Sequence, residues 1–187
     1  MRRTGWVFVL FLVTVLAVIG PPARGVEDGG AAKAEPPDRW TEVRFLVGDW
    51  VGEGSPDSGR GEFSFRFELG GKVLVRRSFA EYPAMAGHAA FRHDDLLVVY
   101  EQAGQLELAA IYFDSEGHVI HYRLVTPASV GGVVFLSEPA QGSPQYRLAY
   151  DRLSDDAVEV RFEIAPPGEP ARFKPYLAAR CHRKRPA

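Results

Sequence analysis

Arg77 and Glu81 are the residues of this chain most in need of a chemical explanation. In the segment VLVRRSFAE they fall in phase with Val73, Val75 and Phe79, apolar residues that recur at every second position as on the dry face of a strand. A charge on such a face requires a partner or a ligand. A turn near Ala103 that pairs residues summing to about 206 sets Asp94 opposite Tyr112, because opposed residues share a face. A turn near Gly117 with a sum of about 232 sets Tyr112 opposite Ile120 and brings Tyr122 inside. Two outcomes follow. Either Arg77 anchors a ligand carboxylate or phosphate, helped by the hydroxyls of Tyr112, Tyr122, Tyr146 and Tyr150, or it closes an internal pair with Asp94 or Glu81 and needs no ligand.

The same register gathers His88, His93, Asp94, Asp95, Asp114 and His118 at one end of the fold, which raises a metal site. The spacing weakens it, because His118 and His121 are three apart on a strand and point to opposite faces. His93 and Asp95 share a face but have no third ligand, so no metal is expected. No Gly-x-Ser-x-Gly turn, no oriented Cys/His couple and no glycine-rich phosphate loop before a helix occurs, so no catalytic residue is nominated.

The elements that must hold these residues are strands. From Gly48 onward the apolar period is close to two, and turn residues interrupt it every 8 to 15 positions. Ten strands are expected near 48–54, 61–69, 72–81, 92–100, 106–114, 118–126, 131–137, 145–152, 157–164 and 173–182. Short connectors such as Gly70-Gly71 make neighbours antiparallel, and the expected fold is an all-β, up-and-down barrel. Ahead of it, Asp38 is placed to cap a short helix carrying Trp40, Val43 and Val47. Alternating directions send the connections 55–60, 82–91, 115–117, 138–144 and 165–172 to one, open, end. The tighter connections and the capping helix go to the other.

That closed end explains FLVGDWVGEG, where Gly48, Trp50, Gly52 and Gly54 share one face. Trp50 fills the floor, and the glycines let the strand bend and admit the ring beside its own backbone. Arg180, Arg183 or Lys184, at the end of the last strand, can lie over the indole as a cation–π lid.

The Gly48-x-Trp50-x-Gly52-x-Gly54 phrase, after a short helix and before about nine further strands, resembles the opening of the calycin superfamily. It is most similar to the fatty-acid-binding-protein-like barrels of the nitrobindin type and to DUF1579-like bacterial domains. GGKVLVRRSFAEYPA, FRHDDLLVVY, YFDSEGHVIHY and FEIAPPGEPARFKPYLAARCHRK resemble the same group. The resemblance implies a lipocalin-like barrel that holds a small apolar or amphipathic, and even anionic, molecule. Nitrobindins carry haem on a histidine near the start of the last strand, but the matching phrase here is Pro175-Tyr176-Leu177-Ala178-Ala179. A haem-binding protein acting on reactive nitrogen species is therefore an alternative that would rest on Tyr176 as the iron ligand. A third reading is a ligand-free interaction module whose barrel is filled by its own side chains.

Residues 1–25 read as a secretory signal peptide: Arg2 and Arg3 precede an apolar run from Trp6 to Ile19, and Ala23-x-Gly25 marks cleavage after Gly25. That run is shorter than the roughly 20 residues a spanning helix needs, so no stable membrane insertion is expected after cleavage. Residues 26–37 read as a flexible linker and 38–187 as the barrel domain. Of 22 basic residues the leader takes three, against 24 acidic ones that all lie beyond it, and so acidic a remainder argues against nucleic acid as a partner. A single cysteine, Cys181, forms no internal disulfide, consistent with a secreted or periplasmic bacterial protein. The loop 82–91, rich in Ala and carrying Met85, is expected to fold over a cavity mouth.

Overall fold

The computed structural model describes residues 38–54, 59–85, 87–125, 131–170 and 172–185. The expected leader and linker lie outside them. Ten strands form one closed antiparallel barrel: β1 (Gly48–Gly52), β2 (Arg60–Glu68), β3 (Val73–Tyr82), β4 (Phe91–Glu101), β5 (Leu108–Asp114), β6 (Val119–Val125), β7 (Gly132–Ser137), β8 (Gln145–Arg152), β9 (Ala157–Ala165) and β10 (Lys174–Arg183). Each pairs with its sequence neighbour, and β1 closes on β10 through Trp50 opposite Arg183 and Gly52 opposite Cys181. Closure leaves no free sheet edge. No helix among the described residues is long and apolar enough to cross a membrane.

The expected capping helix is shorter than its apolar spacing suggests. Residues 39–43 form turns, and only Arg44–Leu46 is regular, as a single 3-10 turn. Asp38 does cap this segment, accepting from the Trp40 backbone N–H at 3.1 Å. The short piece suffices because its role is to plug: Trp40, Val43 and Leu46 are buried in the same core as Trp50.

Alternation sets the core. Phe63, Phe65 and Phe67 on β2, Leu97 and Val99 on β4, Phe135 on β7 and Tyr150 on β8 point inward and pack with Trp50 into one cluster. Phe65, Phe135 and Tyr150 meet edge to face with centroids 5.6–6.3 Å apart, an arrangement the ring quadrupoles favour.

At the floor, Trp50 donates Nε1–H to the Leu46 carbonyl at 2.8 Å, and the Arg183 guanidinium lies over the indole, 4.4 Å from its centroid. Arg183 also donates to the Val47 and Phe45 carbonyls at 2.8 and 2.9 Å, tying β10 to the plug. A Cβ on Gly48 would stand 2.4 Å from Arg183 Nη1, and Gly48 has φ +136°. The glycine before the tryptophan thus makes room for the arginine that covers it. Gly52 opens space elsewhere: its missing side chain and that of Gly61 leave the wall thin at the start of a cavity.

Candidate functional site

The plug and aromatic cluster fill the barrel only at the closed end. Toward the loops an interior cavity of about 830 Å³ remains, bounded below by Phe63, Tyr122 and Leu148 and at its mouth by Tyr82, Phe91, Glu116, His118 and Tyr176.

The polar residue facing this interior from β3 is Arg76, not Arg77. β2 and β3 are joined so that Glu68 opposes Val73, which sets Phe65 opposite Arg76 and Phe67 opposite Leu74. The inward face of β3 is therefore Leu74, Arg76, Ser78 and Ala80. Arg77 faces outward, 67% exposed, with Glu68 at 3.5 Å. Glu81 is also outside, between Arg60 at 2.7 Å and Arg92. Phe79 lies on that outer face beneath Arg92, whose guanidinium is 4.3 Å from the ring centroid. Apolar residues on the wet side are thus shielded by arginine stems and heads, which is how an outer face came to read as an inner one.

The β4–β5 register departs in the same way. Asp95 opposes Asp114 and Leu97 opposes Tyr112, so Asp94 turns outward to Arg92 and Asp95 turns in. Tyr112 does oppose Ile120, and Tyr122 is inside as expected. Tyr146 and Tyr150 are inside as well, Tyr150 being fully buried in the core and Tyr146 stacked on Phe162 at 5.9 Å. Tyr176 sits at a β10 irregularity between Pro175 and Leu177, 74% exposed, with its ring edge-on to Phe162.

Deep in the barrel, Arg76 donates Nη1–H to the Tyr150 hydroxyl and Nη2–H to Asp95 Oδ1, leaving its Nε–H without a partner. Burial works against the guanidinium charge, but the Asp95 carboxylate and Tyr150 oxygen outweigh it and hold the group protonated. Asp95 is the compensating charge, and the internal pair anticipated for Arg77 is realised one residue earlier. Burial pushes the Tyr150 hydroxyl up to about 12 and raises those of Tyr112 and Tyr122, so all three stay neutral.

Nearer the mouth, His93 Nδ1 lies 2.9 Å from Glu116 Oε1 and its Nε2 lies 3.1 Å from the Tyr112 hydroxyl. A carboxylate only accepts, so Nδ1 carries a hydrogen toward Glu116, and in the neutral tautomer this selects, the phenol of Tyr112 donates to Nε2. Asp114 is bound by its own turn, accepting from the backbone N–H of Glu116 at 3.0 Å and of His118 at 2.9 Å. Among the described residues no group of three or more His, Cys, Asp or Glu is arranged to hold a metal ion. Burial raises the Cys181 thiol to about 11, so it is an inert wall residue rather than a nucleophile.

Tyr176 is not set up to ligate haem iron. Iron ligation by tyrosine takes the phenolate, which a neighbouring cation would favour, yet the only side-chain partner of Tyr176 among the described residues is the Phe162 ring. Arg76, the one guanidinium inside the barrel among the described residues, is already engaged by Asp95.

A closed ten-stranded antiparallel barrel is compatible with a calycin-like fold. No family model matches the chain, and no curated protein matches it.

Arg76 and the His93–Glu116 couple are not legible as interior groups in the sequence, whereas alternation along β9 does place Phe162 on the dry face. The signal for Arg76 was present in the Gly70-Gly71 turn, whose length pairs the phenylalanine phase of β2 with the even-numbered phase of β3.

Proposed function

We propose that this protein binds a small apolar or amphipathic molecule inside the open half of its barrel. The observation that carries the reading is the interior cavity of about 830 Å³, of a size and apolar-aromatic lining typical of small-molecule sites. Its walls combine aromatic faces, Tyr146, Phe162 and Tyr176, with polar groups that include Tyr112, His93 and Asp95. An apolar body gains from leaving water, and the Tyr112 and His93 side chains fix the orientation of a polar end. Export across a membrane before folding, directed by residues 1–25, is part of the same proposal. N-terminal sequencing of the protein from a secreting host should begin at Val26.

The binding test uses the neutral fluorescent probe N-phenyl-1-naphthylamine. Titration into the protein should raise and blue-shift its emission with saturable, one-to-one stoichiometry. Ala80→Trp should abolish that signal, since residue 80 lies beside Gly61 and opposite His93 and an indole there occupies the mouth. A wild-type protein that leaves the probe emission unchanged, or an Ala80→Trp variant that binds as well, removes the reading. The haem alternative predicts a strong Soret band on adding haemin, lost in Tyr176→Phe.

A further inference from the structure

We infer that the cavity selects organic cations, an ammonium or amidinium group on an apolar or aromatic body, over carboxylate amphiphiles of the same size. The inference rests on the cavity being a ligand site, and it concerns the sign of charge that site accepts.

Charged residues around the cavity divide by strand phase. Glu53, Arg60 and Glu62 touch its rim from the outer face, where each is satisfied by an opposite charge: Arg180 at 3.5 Å, Glu81 at 2.7 Å and Lys184 at 2.7 Å. They cancel locally. The inward-facing groups are Arg76, Asp95, Asp114 and Glu116, with the imidazoles of His93 and His118. Arg76 and Asp95 neutralise each other. With both imidazoles neutral, Asp114 and Glu116 leave the inner wall net negative; with both protonated the wall is neutral. While the carboxylates are ionised, no protonation state of the two imidazoles makes it positive. A fatty-acid carboxylate would therefore lose its hydration without gaining an uncompensated cation among the described residues that line the cavity, where Arg76 offers only its unpartnered Nε–H, and it would face like charges.

A cation meets the opposite situation. Glu116 is 44% exposed at the mouth and retains accepting capacity beyond the bond from His93. Two stacked aromatic pairs also face the cavity, Tyr82–Phe91 with centroids 6.3 Å apart and Tyr146–Phe162 at 5.9 Å. Such ring faces attract an ammonium group that has shed its water. The carboxylates set the sign, while the aromatic walls and the volume hold the body.

Dodecylammonium and dodecanoate, of equal chain length, are titrated below their micelle-forming concentrations against bound N-phenyl-1-naphthylamine at pH 7.5 and low salt. Dodecylammonium should displace the probe at about tenfold lower concentration than dodecanoate, equivalent to about 1.4 kcal/mol. Raising the salt should narrow that ratio. Glu116→Gln, at a half-exposed position, should bring it toward one, the ratio being taken against that variant's own probe affinity; Asp114→Asn should act in the same direction. Equal or better displacement by dodecanoate, with the probe bound normally, overturns the charge selectivity alone and leaves the cavity reading standing. A ratio unchanged in both variants also overturns it. If the probe itself does not bind, the cavity reading falls and this inference falls with it.

Discussion

Arg76 and Asp95 form a charged pair buried inside the barrel, at 7% side-chain exposure each. Such a pair adds little to stability when both partners are present, yet removing one leaves the other charged with little water to solvate it. Asp95→Asn should therefore cost about 3–5 kcal/mol in urea denaturation. Arg76→Met/Asp95→Leu should recover most of that loss, because the double variant exchanges a desolvated pair for apolar volume. The Tyr150 hydroxyl then loses its donor, which keeps the recovery incomplete. Additive losses in the double variant would show that the two side chains do not act as a pair. Neighbouring Arg77, identical in type, is dispensable by the same reasoning: it stands in water, and an exposed pair with Glu68 is worth little.

At the scale of the element, the β3–β4 hairpin is where structure and expectation part. Its loop does not fold over the mouth. Pro83, Ala84, Met85, His88, Ala89 and Ala90 are exposed and none of them lines the cavity, and Met85 and His88 pair across a small extension of the hairpin. Its strand ends do face the cavity, through the stacked rings of Tyr82 and Phe91. On the proposed reading the two rings, rather than the methionine, form the gate. Phe91→Ser should accelerate release of N-phenyl-1-naphthylamine several-fold in a stopped-flow displacement, while Met85→Ser leaves both the release rate and Tm unchanged. A faster off-rate in Met85→Ser, with none in Phe91→Ser, would return the role to the loop.

For the whole molecule, closure of β1 on β10 makes stability a shared property, and its acid limit follows from carboxylates held in their ionised form. Glu163 accepts from Arg147 Nε at 2.6 Å, a bond that lowers its carboxyl below the usual range despite burial. Burial pushes the Asp114 carboxyl up, but the bonds from the His118 and Glu116 backbone N–H groups and the His118 ring outweigh it, and the net shift is downward. A folded-state pKa depressed below the unfolded value contributes stability that is complete above the unfolded pKa, about 4 for these groups, and is lost as pH falls through the folded one. Urea midpoints should hold between pH 7 and 5 as far as these two groups are concerned, then fall below about pH 4. Glu163→Gln should be less stable at pH 7 and show a shallower acid decline; an identical decline would show that Glu163 carries no share of it. The sequence by itself determined the strand count, their antiparallel order, which end is open, and the tryptophan floor with an arginine from the last strand above it. Those features follow from period-two alternation and turn chemistry, which are local. What only the tertiary structure decided is the phase of β3 and β4, and with it which of two adjacent arginines and two adjacent aspartates enters the barrel. In VLVRRSFAEY both faces carry apolar residues, so alternation within the strand is ambiguous. The choice is made by Phe63, Phe65 and Phe67 across the ladder and by the turn lengths that fix the register. A shift of one residue exchanges the faces, and the aromatic core on the neighbouring strands permits one of them.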